Sequence, residues 1–354
     1  MKSKVYPFLT LAFLITLLLS ACGPAPAASW PGITLGKDNA YLSYSQVFVV
    51  RPSDGSLLGK YPEKTEGAGM FASPALSNDL LVVGDYSNNL HGVNLNTLTL
   101  LWKFTDAKAR FIAPALITDK LVLAPNADGF LYAIDPASGK ELWKFSANSP
   151  LWSQPLYYGK LVYQGTLDHF LFALDPTQNG SPAWKVDLGG AIVSTPLLDS
   201  KGILYVGTLA KELLAVDSAT QKILWRNNEF SDGIWSTPVI KDQTLFVSSQ
   251  NGMVYAVDSA QGKILWKTDL GGAVTGSGAA TPNGIVFITE KGDVVMLGYE
   301  KGDVVWKTAT TFTLYGSPVS TTDRILVGAT HSSDTLMISY DFTGKQLWTL
   351  PVPK

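Results

Sequence analysis

The residues of this chain that could do chemistry are few and far apart. Its one cysteine, Cys22, leaves no disulfide to form. Three histidines, His91, His169 and His331, stand apart with no spacing that would gather them on a metal. Carboxylates that could serve as a base or hold a cation are Asp128, Asp168, Glu212, Asp232, Glu290 and Asp293. Most of them fall in short hairpins or loops, where a charge is ordinarily just solvated. No Ser-His-Asp set, nucleophile elbow or phosphate loop is legible. The glycine-rich stretch 271–278 lies between two expected strands, and without a following helix it cannot cradle a dinucleotide. A formal charge of −2 offers no basic footprint for nucleic acid. We therefore expect no catalytic residue, no metal site and no cofactor.

An aromatic series is the more promising feature. Three residues before a recurring proline (Pro74, Pro114, Pro155, Pro196, Pro238, Pro318, with Gly278 in the same place) stand Phe71, Phe111, Trp152, Val193, Trp235, Thr275 and Tyr315. If the repeating units are related by rotation, these positions form a ring on one face around a central channel. Two readings stay open: wedges between units, or a hydrophobic collar that binds a protein partner. Arg110, beside Phe111, would then add a charged anchor at the rim. Trp152 and Trp235 would also serve as stacking platforms for a sugar.

The amino terminus carries a different chemistry. Lys2 and Lys4 precede an apolar run over 8–19, too short to span a bilayer comfortably and typical of a secretion signal. Leu19-Ser20-Ala21-Cys22 ends it and resembles the lipobox of bacterial lipoproteins, in which the cysteine thiol receives a diacylglyceryl group. The other reading is an ordinary signal followed by a spare thiol. We expect residues 1–21 to be the signal, 22–29 a lipidated tether rich in Pro and Ala, and 30–354 the folded domain. The protein is then exported and held to a bacterial membrane by acyl chains on Cys22, facing the periplasm or the exterior. Gly23 after the cysteine resembles the outer-membrane address of enterobacterial lipoproteins.

The elements that must position the aromatic ring are set by a repeat. Trp102, Trp143, Trp184, Trp225, Trp266, Trp306 and Trp348 succeed one another at gaps of 41, 41, 41, 41, 40 and 42 residues. Counting 41 back from Trp102 reaches Tyr61, the end of a worn copy. A period of 40–45 residues with room for four short strands and no helix is the mark of a β-propeller. The expected fold is all-β: eight blades, each a four-stranded antiparallel sheet. In the fifth blade the strands read as 192–198, 203–208, 212–217 and 222–226. Asp128-Gly129, Asn251-Gly252 and Lys291-Gly292 mark tight hairpins between the second and third strands. Gly139, Gly180, Gly262, Gly302 and Gly344 mark the turn into the fourth. The segment 348–352 is a candidate to close the ring by joining the first blade, and that blade's edge is a candidate site for an added strand from a partner.

The phrases Ala133-Ile-Asp135 … Gly139 … Trp143 and Ala256-Val-Asp258 … Gly262 … Trp266 resemble the tryptophan-docking motif of pyrroloquinoline-quinone-type propellers. Ala173, Asp175, Ala215 and Asp217 continue it, while Gly92/Asn94, Met296/Gly298 and Asp341 depart from it. The resemblance implies that the seven tryptophans are structural wedges. It also implies what a quinone enzyme of this fold would need: an inserted active site, a bound calcium, an aspartate base and, in the alcohol enzymes, a vicinal disulfide. This chain has no Cys-Cys pair and no long insertion. Its plan resembles instead the propeller lipoproteins of outer-membrane β-barrel assembly. That resemblance implies a non-catalytic scaffold, a monomer within a larger complex, binding envelope protein partners. A quinone-dependent oxidoreductase subunit and a carbohydrate- or wall-binding module are the alternatives.

Overall fold

A computed structural model describes residues 32–64, 69–70, 72–329 and 334–353. They form eight four-stranded antiparallel sheets, each built from strands consecutive in sequence, innermost (A) to outermost (D). The fifth blade shows the plan: Leu197–Leu198, Ile203–Thr208, Glu212–Asp217 and Ile223–Asn227. Its B–C hairpin turns through Lys211 at φ 66°, where other blades use Gly129, Gly252 and Gly292 at 90–95°. The helical content among the described residues is one 3-10 turn, Pro176–Gln178.

The molecule has eight cores rather than one, each shared by two neighbouring blades. Alternation along a strand sends successive side chains to opposite faces. In the fifth blade Leu204 and Val206 pack against Tyr163 and Leu171 of the fourth, whereas Tyr205 packs against Val247 and Tyr255 of the sixth. Both faces of the inner strands are therefore buried, which is why B and C read as nearly unbroken apolar runs. The outer D strands alternate between Leu or Val and Lys on their exposed face, as in Leu142 and Lys144. Charges at these edges discourage pairing with stray strands.

Tryptophan locks blade to blade. Trp102, Trp225, Trp266, Trp306 and Trp348 each donate Nε1–H to a backbone carbonyl of the next blade, at 2.8–3.0 Å. The acceptor is always the residue after the motif's Asp position, such as Pro136 after Asp135. The turn glycine two to four residues further on lies flat against the same indole. A Cβ on Gly139, Gly180, Gly262 or Gly302 would sit 2.4–2.6 Å from ring atoms of the preceding blade's tryptophan. These glycines also take φ of 69–71°, so no other residue fits without strain. The motif's Ala has an equally direct reason: Ala133, Ala173, Ala215 and Ala256 face the tryptophan of their own D strand across the ladder. A register shift comes after this pair in those blades, a bulge that tilts the indole toward the neighbour.

Two expectations need correction. Strand A of the fifth blade is only Leu197–Leu198, not 192–198. Pro196 has no N–H to give a ladder, and Ile192 N–H instead bonds Thr166 of the preceding blade at 3.0 Å. The ring is also not closed by a borrowed strand, because Gln346–Pro351 pairs within its own blade and the first blade supplies Gly32–Leu35 itself. Closure is the same docking contact used elsewhere: Trp348 Nε1 donates to Pro52 O at 2.9 Å, and Gly55 lies on its indole. Arg324 reinforces the seam by donating to the carbonyls of Pro52 and Ser53 at 3.0 and 2.6 Å.

Trp143 is 9% exposed and packs between the third and fourth blades. Trp143→Ala should cost about 3–5 kcal/mol, as for other buried aromatics truncated to alanine. Chemical denaturation of the parent and the variant measures this directly. A variant as stable as the parent would show that the indole is not a wedge.

Candidate functional site

The aromatic series does converge on the channel, with one residue of slippage. The third to seventh blades share a marker with the second: the N–H of a B–C loop residue bonds the carbonyl of Arg110, Pro150, Ala191, Gly233 or Ala273 in the same blade's own entry segment, at 2.8–3.3 Å. In the third to seventh blades the next residue is then Phe111, Leu151, Ile192, Ile234 or Val274, and all are buried. The one after that is Ile112, Trp152, Val193, Trp235 or Thr275, and these line the channel. Phe111 thus belongs to the wedge layer, 1% exposed against Phe104 and Tyr132, and not to the collar. The third blade is one residue shorter between this marker and its proline, so counting back from Pro114 lands one position too early. Ile112 is the residue that sequence spacing missed.

The channel holds a cavity of about 250 Å³ between the inner segments of the third to eighth blades. Trp152 and Trp235 line it, together with Gln154, Ser194, Thr237 and Ser277 among others, and none of its lining residues is charged. Side-chain hydrogen bonds tie the inner segments to one another. Gln154 Nε2 donates to Ala115 O at 2.9 Å, and Thr237 N and Ser277 N donate to the hydroxyls of Ser277 and Ser317 at 2.9 and 2.8 Å. Between the seventh and eighth blades the backbones nearly touch: a Cβ on Gly276 would lie 1.5 Å from Gly316 O. Tyr315 is half-buried next to Gly316 and outside the lining. Arg110 is exposed, with its guanidinium 5.1 Å from the centre of the Tyr86 ring. Phe71 and Cys22 lie outside the described residues, as does His331.

Several of the carboxylates singled out from sequence are engaged by neighbouring side chains or backbone. Asp128 accepts from Tyr132 Oη at 2.7 Å and Lys108 N at 2.8 Å. Asp293 pairs with Lys307 at 2.9 Å, and Glu212 pairs with Arg226. Burial pushes the Glu290 carboxyl above its usual range. No group of three or more His, Cys, Asp or Glu among the described residues is placed to hold a metal ion. His91 sits in a hydrogen-bonded chain that spacing did not reveal. Tyr61 Oη lies 2.8 Å from His91 Nδ1, and His91 Nε2 lies 2.9 Å from Asp85 Oδ2, which also accepts from Asn89 Nδ2 at 2.8 Å. Tyr61 stands where every other blade has tryptophan, and its hydroxyl engages a side chain instead of a carbonyl. Burial alone would push the Asp85 carboxyl up, but the hydrogen bonds from His91 and Asn89 prevail and hold it at about 2.

A family model described as outer membrane protein assembly factor BamB matches residues 43–249 and 250–353 of the chain. The outer membrane protein assembly factor BamB of Nitrosomonas eutropha is 28% identical over 127 residues, 35% of this chain and 30% of that protein. A quinoprotein ethanol dehydrogenase of Pseudomonas aeruginosa is 40% identical over 81 residues, which is 22% of this chain and 13% of that one. The chain thus matches less than a third of the length of either relative. Among solved structures, BamB from Moraxella catarrhalis superposes with a TM-score of 0.73 at 20% identity, covering 84% of this chain and 90% of that one. At that identity the likeness speaks for the fold alone.

The depressed Asp85 carboxyl sets a pH dependence. Its stabilising contribution is complete above the ordinary carboxylate range near pH 4 and is lost as pH falls through about 2. A downward shift of this size corresponds to roughly 2 kcal/mol. Asp85→Asn should lower stability at neutral pH and flatten its decline between pH 4 and 2, so that the two curves converge in acid. Parallel curves in urea unfolding across this range would remove the assignment.

Proposed function

The chain belongs to the family of the outer membrane protein assembly factor BamB, and from that premise we propose that it is a non-catalytic, lipid-anchored scaffold of the bacterial envelope that binds protein partners. The observation that carries the reading is the uncharged channel. A quinone enzyme of this fold would place there a polycarboxylate cofactor and a calcium ion. Such groups call for cationic side chains and for clustered oxygen ligands, respectively. The lining supplies indoles, hydroxyls, an amide and aliphatic groups, so the residues present do not fit the cofactor. The match to the quinoprotein dehydrogenase is short, covering 22% of this chain.

The partner surface in this reading is the channel face. Arg110 is exposed and Trp152, Trp235 and Tyr315 are only half-buried, while Phe71, outside the described residues, joins the set from its place in the sequence repeat. Phe111 is removed from the set because it is buried. Residues 1–21 act as the signal, Cys22 carries the acyl anchor and 22–29 form the tether. The protein then works as a monomer within a larger assembly at the membrane surface.

Two measurements test this. A photo-reactive amino acid at Trp152, Trp235 or Tyr315 in living cells should trap one and the same envelope protein from at least two of the three positions. Crosslinks confined to the chain itself would defeat the partner surface. Cys22→Ser should abolish incorporation of labelled fatty acid and release the protein from the membrane fraction, and unchanged labelling would defeat the anchor.

A further inference from the structure

We propose that the channel cavity is a binding site for a neutral sugar, one pyranose unit held between the indoles of Trp152 and Trp235. This goes beyond the scaffold reading and rests on different observations. The first is a pair of polar atoms left without a partner in the protein. Ser194 is 5% exposed and lines the cavity, and its hydroxyl has no hydrogen bond. Its equivalents in the blades on either side are engaged: Ser153 Oγ donates to Gly165 O at 3.0 Å and Ser236 Oγ to Ser248 O at 3.1 Å. Trp152 Nε1 is likewise buried and unpartnered. Five docking indoles donate to a carbonyl, and Trp152 Nε1 is the one buried indole N–H among the described residues with no acceptor. A buried donor without an acceptor is costly, and the cost is relieved when a ligand brings one.

The second observation is the chemistry of the wall. Indole surfaces accept the apolar C–H face of a sugar ring, while its hydroxyl oxygens accept from Trp152 Nε1 and Ser194 Oγ. Gln154, Thr237 and Ser277 supply further polar atoms along the same wall. With no charged side chain in the lining, an ionised ligand would lose its hydration without gaining a counter-charge. Size points the same way. About 250 Å³ is below the roughly 300–1,000 Å³ of pockets for drug-sized ligands. It admits a single ring and not a chain of them.

The test uses the full-length protein in detergent, titrated with glucose and with N-acetylglucosamine. Glucosamine and glucuronate serve as charged counterparts. Tryptophan fluorescence and saturation-transfer NMR report binding. A neutral sugar should give a saturable signal, and both charged sugars should bind more weakly by about tenfold or more. Trp152→Phe keeps an aromatic wall but lacks the donor, and should weaken binding about tenfold with an unchanged melting temperature. Ser194→Ala should weaken it several-fold. Arg110→Ala, at the rim, should leave sugar binding as it was, so that loss of partner crosslinks and loss of sugar binding are separable. No saturable signal from either neutral sugar would overturn the proposal. So would equal affinity for charged and neutral sugars, or full affinity in both Trp152→Phe and Ser194→Ala.

Discussion

An indole lying flat on a glycine of the next blade is the contact on which this structure depends. It does two things at once: dispersion and hydrophobic burial across the ring face, and direction through Nε1–H to a carbonyl. Each demands something of the neighbouring sequence. The stacking demands a turn residue with no Cβ and a positive φ, which glycine provides at Gly139, Gly180, Gly262 and Gly302. The hydrogen bond demands that the turn hold its carbonyl still. The motif's Asp does this by accepting from backbone N–H groups within the turn, as Asp135 does from Ser138 and Asp258 from Gln261. Where the sequence departs, the geometry persists at some strain. Leu98 and Gln221 take the glycine's place at φ 54° and 63°.

Because closure uses the same contact, the ring has no privileged joint of exchanged strands. The eighth blade meets the first through Trp348, Gly55 and Pro52, as the sixth meets the seventh through Trp266, Gly302 and Tyr299. Arg324 is the addition, tying the seam to two carbonyls of the first blade. Most of this was legible in sequence, since docking needs the same residue types at the same place in every turn of the chain. The inner strands were less legible. Their pairing is interrupted by proline, and their early residues bond to the previous blade rather than to their own sheet. Sequence spacing therefore overstated strand length at 192–198 and borrowed a closing strand that the first blade does not need.

The misplacement of Phe111 has the same origin. A proline counts residues along the chain, whereas the fold fixes position by the hydrogen bond from a blade's B–C loop to its own entry segment, and in the third blade the two differ by one. The backbone marker puts Arg110 beside Pro150, Ala191, Gly233 and Ala273, and from there the buried and channel-facing positions separate cleanly. The Tyr61–His91–Asp85 chain was hidden for another reason. Its members are linked only through the substitution of tyrosine for tryptophan, and nothing in their spacing announces a partnership. A departure from a docking motif is itself a signal, because the buried polar group it introduces must find a mate.

That rule also locates function. Positions that wedge blades together are constrained to be alike, and Leu151, Ile192, Ile234 and Val274 are. The next residue inward faces the channel and is free of that constraint: Ile112, Trp152, Val193, Trp235 and Thr275 share neither size nor polarity. Two large indoles in such a ring are not required to hold neighbouring blades, since Thr275 and Val193 occupy the same rank without loss of the fold. Where the seventh and eighth blades meet at Gly276 and Gly316 there is no room even for a Cβ, whereas the same cavity accommodates both indoles. Symmetry in this protein is the record of packing, and the channel face is where packing stops dictating the residue.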